Sequence, residues 1–217
     1  MSWIYHDSAL EGTVYTTEEL EGAFGLRPVA DSSLLPVYDE IRQHRAAIAL
    51  TREMATRKRL VYSPELLREL YLTLVPEEAE TKGPLYRKDI PVHRLYFHEI
   101  SPPDKIAPRL RQLTDWMNSP ETRRSTHTVR LAAKAHFRFM QIFPFPRASG
   151  KVGRLLMNLV LLRQGYPPAI IHATERQRYY DALKTSSNAT ASLVADALTA
   201  SIDSALRYLT SGMAASA

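Results

Sequence analysis

The sequence reads as an all-α domain with one small β-hairpin attached, and three observations carry that reading. Apolar residues recur at helical spacing through most of the 217 residues. The recurring stretches are bounded by Ser, Thr, Pro and Gly in the positions that start and stop helices. One interval, residues 75–103, departs from this pattern: it is rich in proline and holds a short run of β-formers, His93, Arg94, Leu95, Tyr96, Phe97 and His98.

Taken in order, residues 16–24 form a first short helix, because Thr16 and Glu19 have capping-box spacing and Gly25 and Pro28 end it. Residues 37–59 come after Pro36, with Ile41, Ile48 and Met54 on one repeat. Ser63 and Pro64 open the next helix as cap and first-turn proline, and Leu66, Leu67, Leu70 and Leu74 form its stripe. The hairpin then occupies about 92–98. Helices resume over 104–118 and 121–142, where Leu131, Ala135, Phe139 and Ile142 share a face. The prolines at 144 and 146 stop that helix. Residues 151–164 are almost wholly apolar, which places this helix at the centre, with Gly165 as its cap. Helices over 175–185 and 191–209 finish a single domain spanning 1–210, and 211–217 read as a flexible tail.

Composition narrows the function classes. No cysteine is present, which excludes disulfides, thiolate metal sites and a cysteine nucleophile. The histidines show neither H-x-x-x-H nor H-E-x-x-H spacing, so no metal site is expected. The start of the chain lacks the basic and apolar regions of a leader, and no apolar run is long enough to span a bilayer, so the expectation is a cytoplasmic protein without membrane contact. The net charge of +5 suits a mildly basic soluble surface or an anionic small molecule; the cations are spread along the chain without a dense tract, and no nucleic-acid partner is expected.

The segment 143–154 joins the two central helices. A loop that feeds the N-terminus of a buried helix offers unpaired N–H groups and the positive end of a dipole, which favours an anion. Arg147, Ser149, Gly150, Lys151 and Arg154 add a hydroxyl, a close backbone approach and three cations, with Lys151 and Arg154 one turn apart. The spacing is not that of a P-loop.

Several runs in order resemble the Fic (Fido) family. They are residues 135–145, ending in Ile142, Phe143, Pro144 and Phe145; residues 153–168, from Gly153 and Arg154 to Pro168; residues 175–183; and, near the start, Ser8 to Gly12 and then Thr16 to Leu20. The resemblance implies a Fic-type helical bundle with a hairpin flap, and transfer of AMP from ATP to a protein hydroxyl. The family loop reads H-x-F-x-(D/E)-G-N-G-R-x-x-R. Laid on this chain, the general base falls at Phe143, the Mg²⁺-holding acid at Arg147, the Gly-Asn pair at Ala148 and Ser149, and the first Arg at Lys151; Phe145, Gly150, Gly153 and Arg154 are retained.

Phenyl cannot accept a proton, so AMP transfer by the usual mechanism is not expected. Three readings remain open: a degenerate member that binds an anion or a protein, a transferase of altered mechanism, or an antitoxin-like or scaffolding module. ATP or another nucleotide, if bound, is expected to need no Mg²⁺. The anion-binding set is Arg147, Ser149, Gly150, Lys151, Gly153 and Arg154. Within an inhibitory-like segment at 1–30, Glu11 is expected to pair with Arg154, although Asp7 stands where the family has Ser or Thr. Arg94, Leu95, Tyr96 and Phe97 fall on the flap, where the resemblance implies contact with a target protein. His136 is expected to be a core histidine bonded to backbone.

Overall fold

In the computed structural model, the helices that begin at Thr17 and Pro64 start on the caps that the sequence supplies. The structure describes residues 1–26, 31–80, 85–91 and 98–214, with side chains to Ser211. The Thr16 hydroxyl accepts from Glu19 N–H at 3.1 Å while the Glu19 carboxylate accepts from Thr16 N–H at 2.7 Å, and the Ser63 hydroxyl accepts from Leu66 N–H at 3.2 Å. The described helices are α1 (Ser2–Leu10), α2 (Thr17–Ala23), α3 (Leu35–Thr56), α4 (Pro64–Leu74), α5 (Ile106–Asn118), α6 (Pro120–Ser125), α7 (Thr128–Ile142), α8 (Ser149–Leu162), α9 (Arg176–Thr185) and α10 (Ser187–Ala214).

α7 and α8 form the central pair. α3 and α4 pack on α8, and α5 and α10 pack on α7. Every residue from Ser149 to Leu161 is buried, in keeping with the central place expected of this apolar helix. The two central helices approach closely because Gly153 has no side chain: a Cβ there would lie 2.9 Å from the Phe139 ring and 3.2 Å from His136 Nδ1.

The structure corrects three expectations. α1 was not expected as a helix; it buries Trp3, Ile4 and Leu10 together with Asp7 and Ser8, so its inner face mixes polar and apolar residues and shows no clean stripe. The single helix over 121–142 is broken in two, because His127 Nδ1 caps α7 by accepting from Val129 N–H at 3.3 Å. α10 runs on to Ala214, past the point where a tail was expected at 211. No strand occurs among the described residues. The hairpin expected at 92–98, with its flap residues Arg94, Leu95, Tyr96 and Phe97, falls on residues 92–97, which lie outside the described residues.

Candidate active site

The loop between α7 and α8 is fixed at both ends. Phe143 closes α7 in the left-handed region, at φ 47°. The carbonyls left over at a helix C-terminus need donors, and Arg87 serves those of Ile142 and Phe143. Its Nε donates to Phe143 O at 2.7 Å, its Nη2 to Ile142 O at 3.3 Å and to Ser101 O, and its backbone N–H to Pro144 O at 2.9 Å. Ser101 N–H donates to Gln141 O at 2.8 Å, and His98 Nε2 lies 2.9 Å from Met140 O. A buried guanidinium surrounded by carbonyls suits the negative end of the α7 dipole. Arg87 was not singled out from sequence, since nothing local marks an arginine that caps a helix 55 residues away.

Within the loop, Phe145 is fully buried and stacks on Tyr71, with centroids 4.1 Å apart and planes 2° from parallel. Such a pair contributes roughly 0.5–1.5 kcal/mol beyond burial. The Ser149 hydroxyl accepts from Phe145 N–H at 2.8 Å and donates to Phe145 O at 3.0 Å. A hydroxyl has one proton to donate, so Ser149 is committed to the loop and not to an anion. Ala148 caps α8 at φ 55°, where a Cβ costs about 1–2 kcal/mol.

The start of α8, where an anion was expected, is occupied by a carboxylate of the chain itself. Glu11 Oε1 sits over Gly150, where a Cβ would lie only 1.8 Å from it, and accepts from Arg154 Nη2 at 2.9 Å. Arg154 is 2% exposed. Its Nε donates to Asp7 Oδ1, its Nη2 also to Asp7 O at 3.2 Å, and its Nη1 to the Tyr179 hydroxyl at 3.2 Å. Asp7 Oδ2 in turn lies 2.8 Å from His44 Nε2. Burial alone would raise the Asp7 carboxyl, but the Arg154 guanidinium and the His44 ring hold it down at about 2. Burial lowers the His44 pKa against the pull of Asp7. The Tyr179 hydroxyl also lies 3.1 Å from His136 Nε2, so this core histidine has a side-chain partner beside the Gly153 backbone.

The other two loop cations are paired as well. Lys151 Nζ donates to Glu40 Oε1 at 2.8 Å, and Arg147 pairs with Glu77 and lies 3.7 Å from Glu78. A cavity of about 490 Å³ opens beside them. Glu11, Asp39, Glu40 and Glu77 line it against Arg147 and Lys151, so its wall is acidic on balance. The residues do not fit the Mg²⁺ that the Fic resemblance implies: Arg147 stands at the acid position, and its own charge engages the nearest carboxylates. Among the described residues no group of three or more His, Asp or Glu could hold a metal.

Of the residues proposed from sequence, Arg147, Lys151 and Glu11 meet at the cavity wall. Arg154 lies beneath Glu11, and Gly150 provides the room that Glu11 occupies. Gly153 faces α7 and serves helix packing. Phe143, 3% exposed, belongs to the core. Sequence reading missed Asp7, Glu40, His44 and Tyr179 as partners; the one available signal was an acid at 7 where the family pattern has a hydroxyl.

The Fic/DOC family model matches residues 61–161, from just before α4 nearly to the end of α8. The protein adenylyltransferase Fic of Drosophila willistoni is 30% identical over 183 residues, which is 83% of this chain and 36% of that protein. The chain thus spans about a third of the length of such relatives. Among solved structures, Fic-1 from C. elegans superposes with a TM-score of 0.81 at 21% identity, covering 97% of this chain and 63% of that one. IbpAFic2, in complex with adenylylated Cdc42, superposes with a TM-score of 0.56 at 17% identity, covering 90% of this chain and 63% of that one. The match of the family model from α4 to α8, with 30% identity to an adenylyltransferase relative over 83% of the chain, identifies the chain as a member of the Fic/DOC family.

Proposed function

We propose that this chain is a Fic-fold binding module that does not transfer AMP and that acts by engaging a protein partner. The observation that carries the reading is the closure of Arg154 by Asp7, Glu11 and Tyr179. The cation best placed to receive a phosphate is buried and already makes four hydrogen bonds within the chain, and the general-base position is a core phenyl. Loss of general-base catalysis alone removes about 10²–10⁴-fold in rate. Contact with a protein is supported by family kinship, since IbpAFic2 is seen with Cdc42; the flap residues Arg94, Leu95, Tyr96 and Phe97 are the proposed contact. A nucleotide that enters the cavity meets Lys151 and Arg147 and no carboxylate set for Mg²⁺, so its binding is weak and metal-independent.

Incubation with labelled ATP and Mg²⁺ tests the reading. The expected result is no incorporation into the chain or into proteins of a cell extract, for the wild type and for Phe143→His alike. Restoring the imidazole replaces neither the acid nor the Asn, and it puts a polar ring in the core at a cost of about 1–3 kcal/mol. Labelling that Arg154→Ala abolishes would establish a transferase with another base.

A further inference from the structure

The chain's net charge does not lie at the loop. Residues 104–138 hold eight Lys and Arg against three Asp and Glu, a surplus equal to the +5 of the whole chain, so the remaining residues balance to zero. Within that segment, Arg130, Lys134 and Arg138 are spaced four apart and share one face of α7. Arg138 and Arg109 of α5 line a second cavity of about 380 Å³ with Gln112, Leu113, Gln141 and Ile142. None of these four cations has a carboxylate partner among the described residues. Arg109 Nη1 donates to the Ser101 hydroxyl at 2.7 Å, and the Arg138 guanidinium lies over the Trp116 ring at 4.0 Å. Like charges four apart on a helix oppose its stability by roughly 0.2–0.5 kcal/mol per pair, so ion pairing within the fold does not account for the stripe.

We infer that the face formed by Arg109, Arg130, Lys134 and Arg138 binds an acidic segment of a partner protein. The inference rests on the reading of the chain as a protein-binding module and names the chemistry of the partner. Spacing supports it: cations four apart on a helix recur every ~6 Å, and acidic side chains on one face of an extended peptide recur every ~6.6 Å. The cavity supports it too. The Gln112 amide suits a peptide group, as does the Gln141 carbonyl, whose amide nitrogen donates to Leu183 O at 3.4 Å, and Leu113 and Ile142 offer an apolar floor. A single-stranded nucleic acid fits less well, because base stacking needs an open aromatic face and Arg138 covers that of Trp116. The face also adjoins the flap in sequence, since Ser101, which bonds Arg109, lies four residues beyond Phe97.

The test is fluorescence anisotropy with a labelled peptide carrying Glu at alternate positions, and with a thymidine oligonucleotide of equal charge, at about 50 mM salt. The variant Lys134→Glu/Arg138→Glu is set against Lys58→Glu/Arg59→Glu, which changes net charge equally on exposed residues elsewhere. Lys134→Gln/Arg138→Gln serves as a milder version, and circular dichroism checks that each folds. The expected result is saturable peptide binding that weakens at least about tenfold in the 134/138 variants and by less than about twofold in the 58/59 variant. Equal weakening in both would mean a net-charge effect and would overturn the inference. So would tighter binding of the oligonucleotide than of the peptide, or no saturable peptide binding by the wild type. No nucleotide transfer enters this experiment, so its failure and a positive labelled-ATP result are separate outcomes.

Discussion

The two clusters of cations in this chain stand in opposite electrostatic situations. At the loop, Arg147, Lys151 and Arg154 each meet a carboxylate of the same chain. On the α5–α7 face, Arg109, Arg130, Lys134 and Arg138 meet none among the described residues. A buried ion pair is costly to break because the partner left behind stays desolvated, whereas an exposed, unpartnered cation costs little to remove. Arg154, buried among its partners, and the nearly buried Lys151 are therefore structural first, whereas Arg147 makes an exposed pair; the surplus charge falls in the segment that carries the α5–α7 face, where the resemblance assigned no role.

The largest expected difference between the clusters is in stability. Asp7→Ala leaves Arg154 buried without its main partner and should lower the unfolding free energy by about 3–5 kcal/mol. Lys134→Ala should change it by no more than about 0.5 kcal/mol. Urea denaturation of the two variants measures both, and similar values would erase the contrast.

A pH effect sharpens the same point. The Asp7 carboxyl is depressed in the folded state, from 3.8 to about 2. Its contribution is fully present above the ordinary carboxylate pKa and is lost as pH falls from about 4 toward 2. Wild-type protein should therefore lose stability in that window more steeply than Asp7→Asn. Parallel profiles would mean that the pair with Arg154 does not hold the carboxylate down.

A smaller effect concerns the loop backbone. Ala148 holds a left-handed conformation at φ 55°, so Ala148→Gly should raise stability by about 1 kcal/mol with no other change. Thermal unfolding reads this as a small rise in Tm. A fall would mean that the methyl group packs better than its conformation costs.

Much of the fold was legible because helix starts and apolar stripes are local. The capping box at Thr16 and Glu19, the cap at Ser63 and the buried α8 could all be read along the chain. α1 could not, since its inner face carries Asp7 and Ser8, and the burial of Asp7 makes sense only beside Arg154, 147 residues away. The candidate site was half legible. The Phe and Arg at the positions where the family pattern has a His and an acid could be read at 143 and 147, but the carboxylates that occupy the cations come from α1, α3 and the turn after α4. The basic stripe escaped notice because no tract is dense in the linear sequence, and only a helix brings residues four apart together.

The claim that the chain's own carboxylates close the loop is tested most directly by calorimetric titration of ATP into wild type and Glu11→Gly, each in EDTA and in Mg²⁺. Removing the Glu11 side chain opens the space over Gly150 and frees one edge of Arg154. The account predicts at least about tenfold tighter binding by Glu11→Gly, a gain of roughly 1.4 kcal/mol, with no further gain from Mg²⁺. Equal affinities for the two proteins, or a large gain on adding Mg²⁺ to either, would contradict it.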